Sequence, residues 1–155
     1  MRKIFTLLIV AILATATSWA ATTGTIKFGT NDVKIDKASV TAADDQGNSW
    51  KITTVGTEYF GQRSQYTQVG SADAPATSIT FTTTLSKEVK VSSLSVKFGG
   101  FKNTAGTIKL LVGDKEIGTG KLNAKNDVTV TSTTVASGTQ LTVKVTNIAK
   151  GVKCY

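Results

Sequence analysis

"TIKLLVGDKEIGTG", residues 107–120, decides the fold class. Ile108, Leu110 and Val112 fall on alternate positions, the period of a pleated strand that buries one face and leaves the other to solvent. Gly113-Asp114 follows, between two such runs. A two-residue connection of this composition forms a tight primed turn, in which glycine supplies a positive φ at little steric cost. The stretch is therefore predicted to be an antiparallel hairpin.

The same period extends in both directions. It runs through Ile26 and Phe28, Trp50 and Ile52, and Ile79, Phe81 and Leu85 upstream. Downstream it runs through Val128 and Val130, then Leu141, Val143 and Val145. Turn clusters such as "GTND", "DDQGNS", "GSADAP", "NAKND" and "ASGT" separate these runs. Apolar residues at helical spacing are almost absent, and the abundant threonine suits the exposed positions of a sheet. Two shifts of phase interrupt the pattern. Val89 and Val91 are out of step with Leu94, Val96 and Phe98, so Ser92-Ser93 is expected to be a bulge, bend or change of sheet. A like shift falls between Ile35 and Ala38. The expected fold is all-β: a two-sheet antiparallel β-sandwich of jelly-roll type, without the Cys-Trp-Cys framework of an immunoglobulin domain.

Residues 1–20 have the character of a signal peptide. Arg2 and Lys3 form a basic start, Ile4 to Ala16 an apolar stretch, and Ser18-Trp19-Ala20 a small-x-small cleavage site before Ala21. The apolar stretch is shorter than the roughly 20 residues of a membrane span. A lipid-anchored product would need cysteine after the cut, where Ala21 stands. The expectation is a secreted, periplasmic or cell-surface protein, with residues 21–155 as one domain and no transmembrane segment after cleavage. The lone Cys154 cannot form an internal disulfide and is expected to be a packed thiol. "GVKCY" reads as a strand reaching Tyr155, and an exposed edge there would favour self-association.

Subtraction bounds the chemistry. The chain has no histidine, which removes Ser-His-Asp and Cys-His machinery and histidine-based metal sites. A carboxylate pair remains conceivable, with Glu58, Asp114 and Glu116 as acids, but Asp114 belongs to a turn; the expectation is that the protein is not an enzyme. Asp44, Asp45 and Asn48 around Gly47, and Asn31-Asp32, offer oxygen atoms to calcium but lack the spacing of an EF-hand. Their role is read as turn formation, and no metal or cofactor is expected.

The formal charge of +8 falls to +6 without Arg2 and Lys3. Lys27, Lys34, Lys51, Lys90, Lys97, Lys109, Lys144 and Lys153 each stand between apolar residues, hence on the face opposite the core. They read as solvated positions that discourage edge pairing, with a basic sheet face for acidic glycans or phosphates as the functional alternative. No specific nucleic-acid partner is expected. "EYFGQRSQY", residues 58–66, concentrates aromatic rings beside an arginine. As a hairpin it would send one ring to the core and expose another. An exposed tyrosine face with neighbouring polar groups is suited to a sugar, so Tyr59, Arg63 and Tyr66 are the candidate ligand contacts.

With "LSVKFGGF", "TIKLLVGDKEIGTG" and "GTQLTVKVTNIAKGVKCY" following a leader, the chain resembles the jelly-roll β-sandwich modules of secreted bacterial surface proteins, of carbohydrate-binding or galactose-binding-like type. The resemblance implies a non-catalytic module for extracellular or cell-surface glycans. The alternative is a structural or adhesive surface component that assembles through an exposed strand edge.

Overall fold

The computed structural model describes residues 11–14, 22–25, 33–36, 39–57, 60–62, 66–71, 73–96, 98–100, 106–122, 127–146, 148 and 152–154. The strands are β1 (Ala11–Ala14), β2 (Thr22–Gly24), β3 (Val33–Asp36), β4 (Ser39–Ala43), β5 (Ser49–Val55), β6 (Phe60–Gln62), β7 (Thr67–Val69), β8 (Ser78–Thr84) and β9 (Val89–Val91). They continue as β10 (Leu94–Ser95), β11 (Phe98–Gly100), β12 (Thr107–Val112), β13 (Lys115–Lys121), β14 (Asp127–Val130), β15 (Thr133–Val135), β16 (Gln140–Thr146) and β17 (Val152–Cys154). Of the expected "GTIKF" strand, Gly24 ends β2 and residues 26–28 lie outside the described residues.

The fold is all-β, and its strands pair antiparallel. They form one nine-stranded sheet, ordered β10-β14-β13-β12-β16-β8-β5-β4-β3, and two four-stranded sheets, β15-β9-β1-β2 and β11-β17-β7-β6. Val69 of the β7 sheet and Val89, Val91 and Val135 of the β9 sheet join the buried side chains of the large sheet in a single core cluster. One core shared by separate ladders is consistent with a β-sandwich, although the ladders number three.

The hydrophobic period becomes a row of side chains across the large sheet. Val40 opposes Ile52, Ile52 opposes Phe81, Phe81 opposes Val143, and Val143 opposes Leu110. All five are buried. Removing each such side chain from water contributes roughly 1.5–3 kcal/mol. The row continues to Gly118 and then Val130. A Cβ at Gly118 would lie 3.1 Å from Val130 Cγ2 and 3.3 Å from Leu110 Cβ, so the glycine lets its two larger neighbours close over it.

Both phase shifts have structural counterparts. β9 belongs to a four-stranded sheet and β10 to the nine-stranded one, so the chain changes sheets at Ser92-Ser93. The shift after Ile35 is the turn of a hairpin, in which Asp36 opposes Ser39. The hairpin of residues 107–121 closes at Gly113, whose φ is 56°, with Val112 opposite Lys115. It also contains a feature that simple alternation does not anticipate. The register slips after Leu110, leaving Ile117 as the extra residue of a bulge on β13, and Ile117 and Gly118 are consecutive buried positions.

One expectation is corrected. The C-terminal strand does not offer a free edge, because β17 pairs with β11 on one side and β7 on the other. Its backbone groups are already engaged, and self-association through that strand loses its basis. At the other end, β1 lies within the expected leader and pairs with both β2 and β9.

The "DDQGN" connection between β4 and β5 is built around a buried carboxylate. Gly47, at φ 82°, donates its backbone N–H to the Asp44 carbonyl, and the backbone N–H of Asp44 bonds the Asn48 carbonyl. The Asp44 side chain accepts the backbone N–H groups of Gln46 (3.0 Å) and Asn48 (2.8 Å) on Oδ1. Its Oδ2 accepts Asn48 Nδ2 (2.9 Å) and Trp50 Nε1 (3.0 Å). Asp44 thus satisfies the polar edge of Trp50, the largest side chain of the core, and shapes the turn that precedes it.

Two stability predictions follow from burial and hydrogen bonding. Phe81→Ala should lower the unfolding free energy by about 3–5 kcal/mol, whereas Thr82→Ala, on the opposite face, should stay within about 0.5 kcal/mol of the parent. Asp44→Ala should cost about 1–3 kcal/mol by leaving buried donors unpaired. Urea denaturation of the three variants, followed by Trp50 fluorescence, checks both predictions.

Candidate functional site

On the outer face of the large sheet lies an open depression of about 600 Å³. Its lining comes from three adjacent strands: Ser49, Lys51 and Thr53 of β5, Thr82, Thr83 and Thr84 of β8, and Gln140 of β16. The same alternation that buries Trp50, Ile52 and Phe81 turns Lys51, Thr53, Thr82 and Thr84 outward. Lys51 stands opposite Thr82, and Thr84 stands opposite Gln140. The result is a surface of hydroxyls, one amide and one ammonium group.

The backbone around the depression is firmly held. Thr83 points into the core and its hydroxyl donates to the Ser49 carbonyl at 2.7 Å, joining the ends of β5 and β8. Gly113 N–H donates to the Gln140 carbonyl at 2.8 Å, so the tip of the β12–β13 hairpin fixes the start of β16. Leu85 N–H bonds the Thr139 carbonyl and Gly138 N–H bonds the Leu85 carbonyl, which locks the β8 and β16 ends together. Side chains on paired central strands are more exactly positioned than those on a loop.

Beyond the depression, the outer face carries further cations. Lys144 opposes Thr80 on one side and Lys109 on the other. Lys109 Nζ lies 2.8 Å from Glu116 Oε2, the ion pair found among the described residues. Both partners are substantially exposed, so the pair adds little stability, but it offsets the repulsion between two lysines placed directly across from each other. Lys90 is exposed on β9, in a different sheet. Lys51, Lys109 and Lys144 therefore share one face of one sheet. Lys27 and Lys97 lie outside the described residues, as do the side chains of Lys34 and Lys153.

The sequence-derived sugar contacts are only partly placed. Tyr59 and Arg63 lie outside the described residues. Tyr66 is half-buried, immediately before β7. β6 and β7 do form a hairpin, with Phe60 opposite the buried Val69 and packed against the core cluster. Phe60 is thus a ring of this stretch that serves the core. The depression lies on the large sheet, whereas Tyr66 adjoins β7 of a four-stranded sheet.

The acidic candidates are occupied by other duties. Both Asp44 oxygens face N–H donors, and Asp45 Oδ1 accepts the Thr25 backbone N–H at 2.9 Å. Asp44 serves the turn, and Asp45 ties the turn to Thr25. Asp114 is exposed in the tight turn, and Glu116 is engaged with Lys109; Glu58 lies outside the described residues. No group of three or more His, Cys, Asp or Glu side chains comes together among the described residues. Nor is any helix there long and apolar enough to cross a membrane.

Ser49, Thr53, Thr82, Thr84 and Gln140 were not singled out as site residues from the sequence. Their outward direction is legible from alternation, but their convergence depends on β8 lying between β5 and β16. Comparison with protein-family models, curated proteins and solved structures finds no match, so no residue role is carried over from a relative.

Proposed function

We propose that this chain is an exported, non-catalytic binding module for extracellular or cell-surface glycans. The observation that carries the proposal is the depression on the solvent face of the large sheet, lined by Ser49, Lys51, Thr53, Thr82, Thr84 and Gln140. A sugar presents many hydroxyl groups at once, and a lining of hydroxyl, amide and ammonium groups can donate to and accept from them. The lining is held by paired backbone rather than by mobile loops, so little ordering entropy opposes binding. Residues 1–20 support export through their basic start, apolar stretch and small-x-small end.

Protein collected as a cell releases it should begin at Ala21 by N-terminal sequencing. On a panel of neutral and acidic polysaccharides, that protein should bind at least one class. Thr82→Trp, which fills the depression from its floor, should weaken binding at least roughly tenfold by displacing ligand contacts while leaving the urea midpoint unchanged. A loss confined to Tyr59→Ala, Arg63→Ala or Tyr66→Ala would instead place the contacts at residues 58–66. Retention of full affinity in Thr82→Trp would remove the depression as the site.

A further inference from the structure

We infer that the outer face of the large sheet selects acidic polysaccharide over neutral polysaccharide, through Lys51 and Lys144 acting across β8, with Glu116 withholding Lys109 from the ligand. The inference rests on the glycan-binding reading and gives it a ligand class.

Register fixes the spacing of the two cations. Lys51 opposes Thr82 from β5, and Lys144 opposes Thr80 from β16. They are separated by two strand spacings sideways and one two-residue step along the strands. With strands about 4.8 Å apart and about 3.4 Å per residue, their Cα atoms lie about 12 Å apart. Thr80 and Thr82 present half-exposed hydroxyls between them. Both lysines are exposed and have no ion-pair partner among the described residues. A polymer carrying carboxylate or sulfate at intervals along a sugar chain can meet both cations while its hydroxyls lie over the threonines.

The polar lining also separates an acidic glycan from single-stranded nucleic acid. Binding of the latter relies on aromatic platforms for its bases, and among the described residues the depression is lined by Ser, Thr, Lys and Gln with no aromatic ring. The neutral polar groups suit sugar hydroxyls, and Lys51, the one charged group among the described lining residues, calls for an anion.

Glu116 tunes this face. Lys109 is directly across from Lys144 and would extend the cationic track to a third strand. Its ammonium is instead held by Glu116 at 2.8 Å. Removing the acid frees that cation and removes a negative charge that an acidic ligand would meet.

The test uses the protein as the cell releases it, with polygalacturonate, neutral galactan and oligothymidylate as probes, each titrated at low and moderate salt. Polygalacturonate should bind more tightly than the other two. Lys51→Ala and Lys144→Ala should each weaken it roughly fivefold or more, as expected for loss of a charge-assisted contact. Lys90→Ala, on another sheet, should leave it unchanged. Glu116→Gln should strengthen it roughly two- to fivefold, the scale of one exposed charge interaction, and make it more sensitive to salt. Galactan binding equal to polygalacturonate, with Lys51→Ala silent, would overturn the acid selectivity while leaving glycan binding in place. Equal affinity for oligothymidylate, or equal losses in Lys90→Ala, would reduce the effect to diffuse charge and overturn it as well. Failure to bind any polysaccharide would remove the glycan reading and this inference together. Far-UV circular dichroism of each variant establishes that these surface changes leave the fold intact.

Discussion

The structure depends on a row of apolar contacts that crosses the large sheet: Val40, Ile52, Phe81, Val143 and Leu110, each directly opposite the next. Because strand side chains alternate strictly, committing this row to the core commits its neighbours to solvent. Lys51, Thr82 and Thr142 form the adjacent outward row, and Thr53, Thr80, Lys144 and Lys109 form another. A slip of one residue in β5 would bury Lys51 and expose Trp50 and Ile52. The hydrophobic effect therefore specifies the polar face as strongly as it specifies the core.

The bulge at Ile117 shows how a local irregularity changes that face. With uninterrupted register after Leu110 and Gly118, Glu116 would oppose Val112, on the side of the sheet that Leu110 occupies. The extra residue brings Glu116 opposite Leu111 instead. It then shares the outer face with Lys109 and can reach it. Ile117 meanwhile turns into the core beside Gly118, where the absence of a side chain leaves room. One inserted position thus adds an apolar group inside and places an acid outside.

Much of this was legible in the residues themselves. Alternation identified the all-β class, Gly113-Asp114 identified a hairpin, and the phase change at Ser92-Ser93 marked a bulge, bend or change of sheet, of which the structure has the last. Alternation places Trp50 inward with Ile52, and both are buried. The bulge was not legible, because "KEIGTGK" carries too little apolar pattern to reveal a slip. Nor could the sequence show that β17 lies between two partners, since pairing order is a long-range property. The depression was hidden for the same reason: each lining residue is an ordinary outward position on its own strand. The aromatic stretch drew notice by its composition, yet one of its rings, Phe60, is accounted for by packing against the core.

The pairing of β8 with β16 also sets when the molecule can fold. Thr82 lies opposite Thr142, 60 positions further along the chain, and this ladder joins the β5 side of the large sheet to the β12 side. Local hairpins such as β4–β5 and β12–β13 need only short loop closures, whereas the central ladder must overcome the entropy of a long one. During synthesis the two halves of the sheet can each begin to form, but they have no shared core until residues 140–146 have emerged. Folding of the large sheet is thus a late, nearly whole-chain event, and the apolar face of β8 stays uncovered on its β16 side for most of the time the chain is being made.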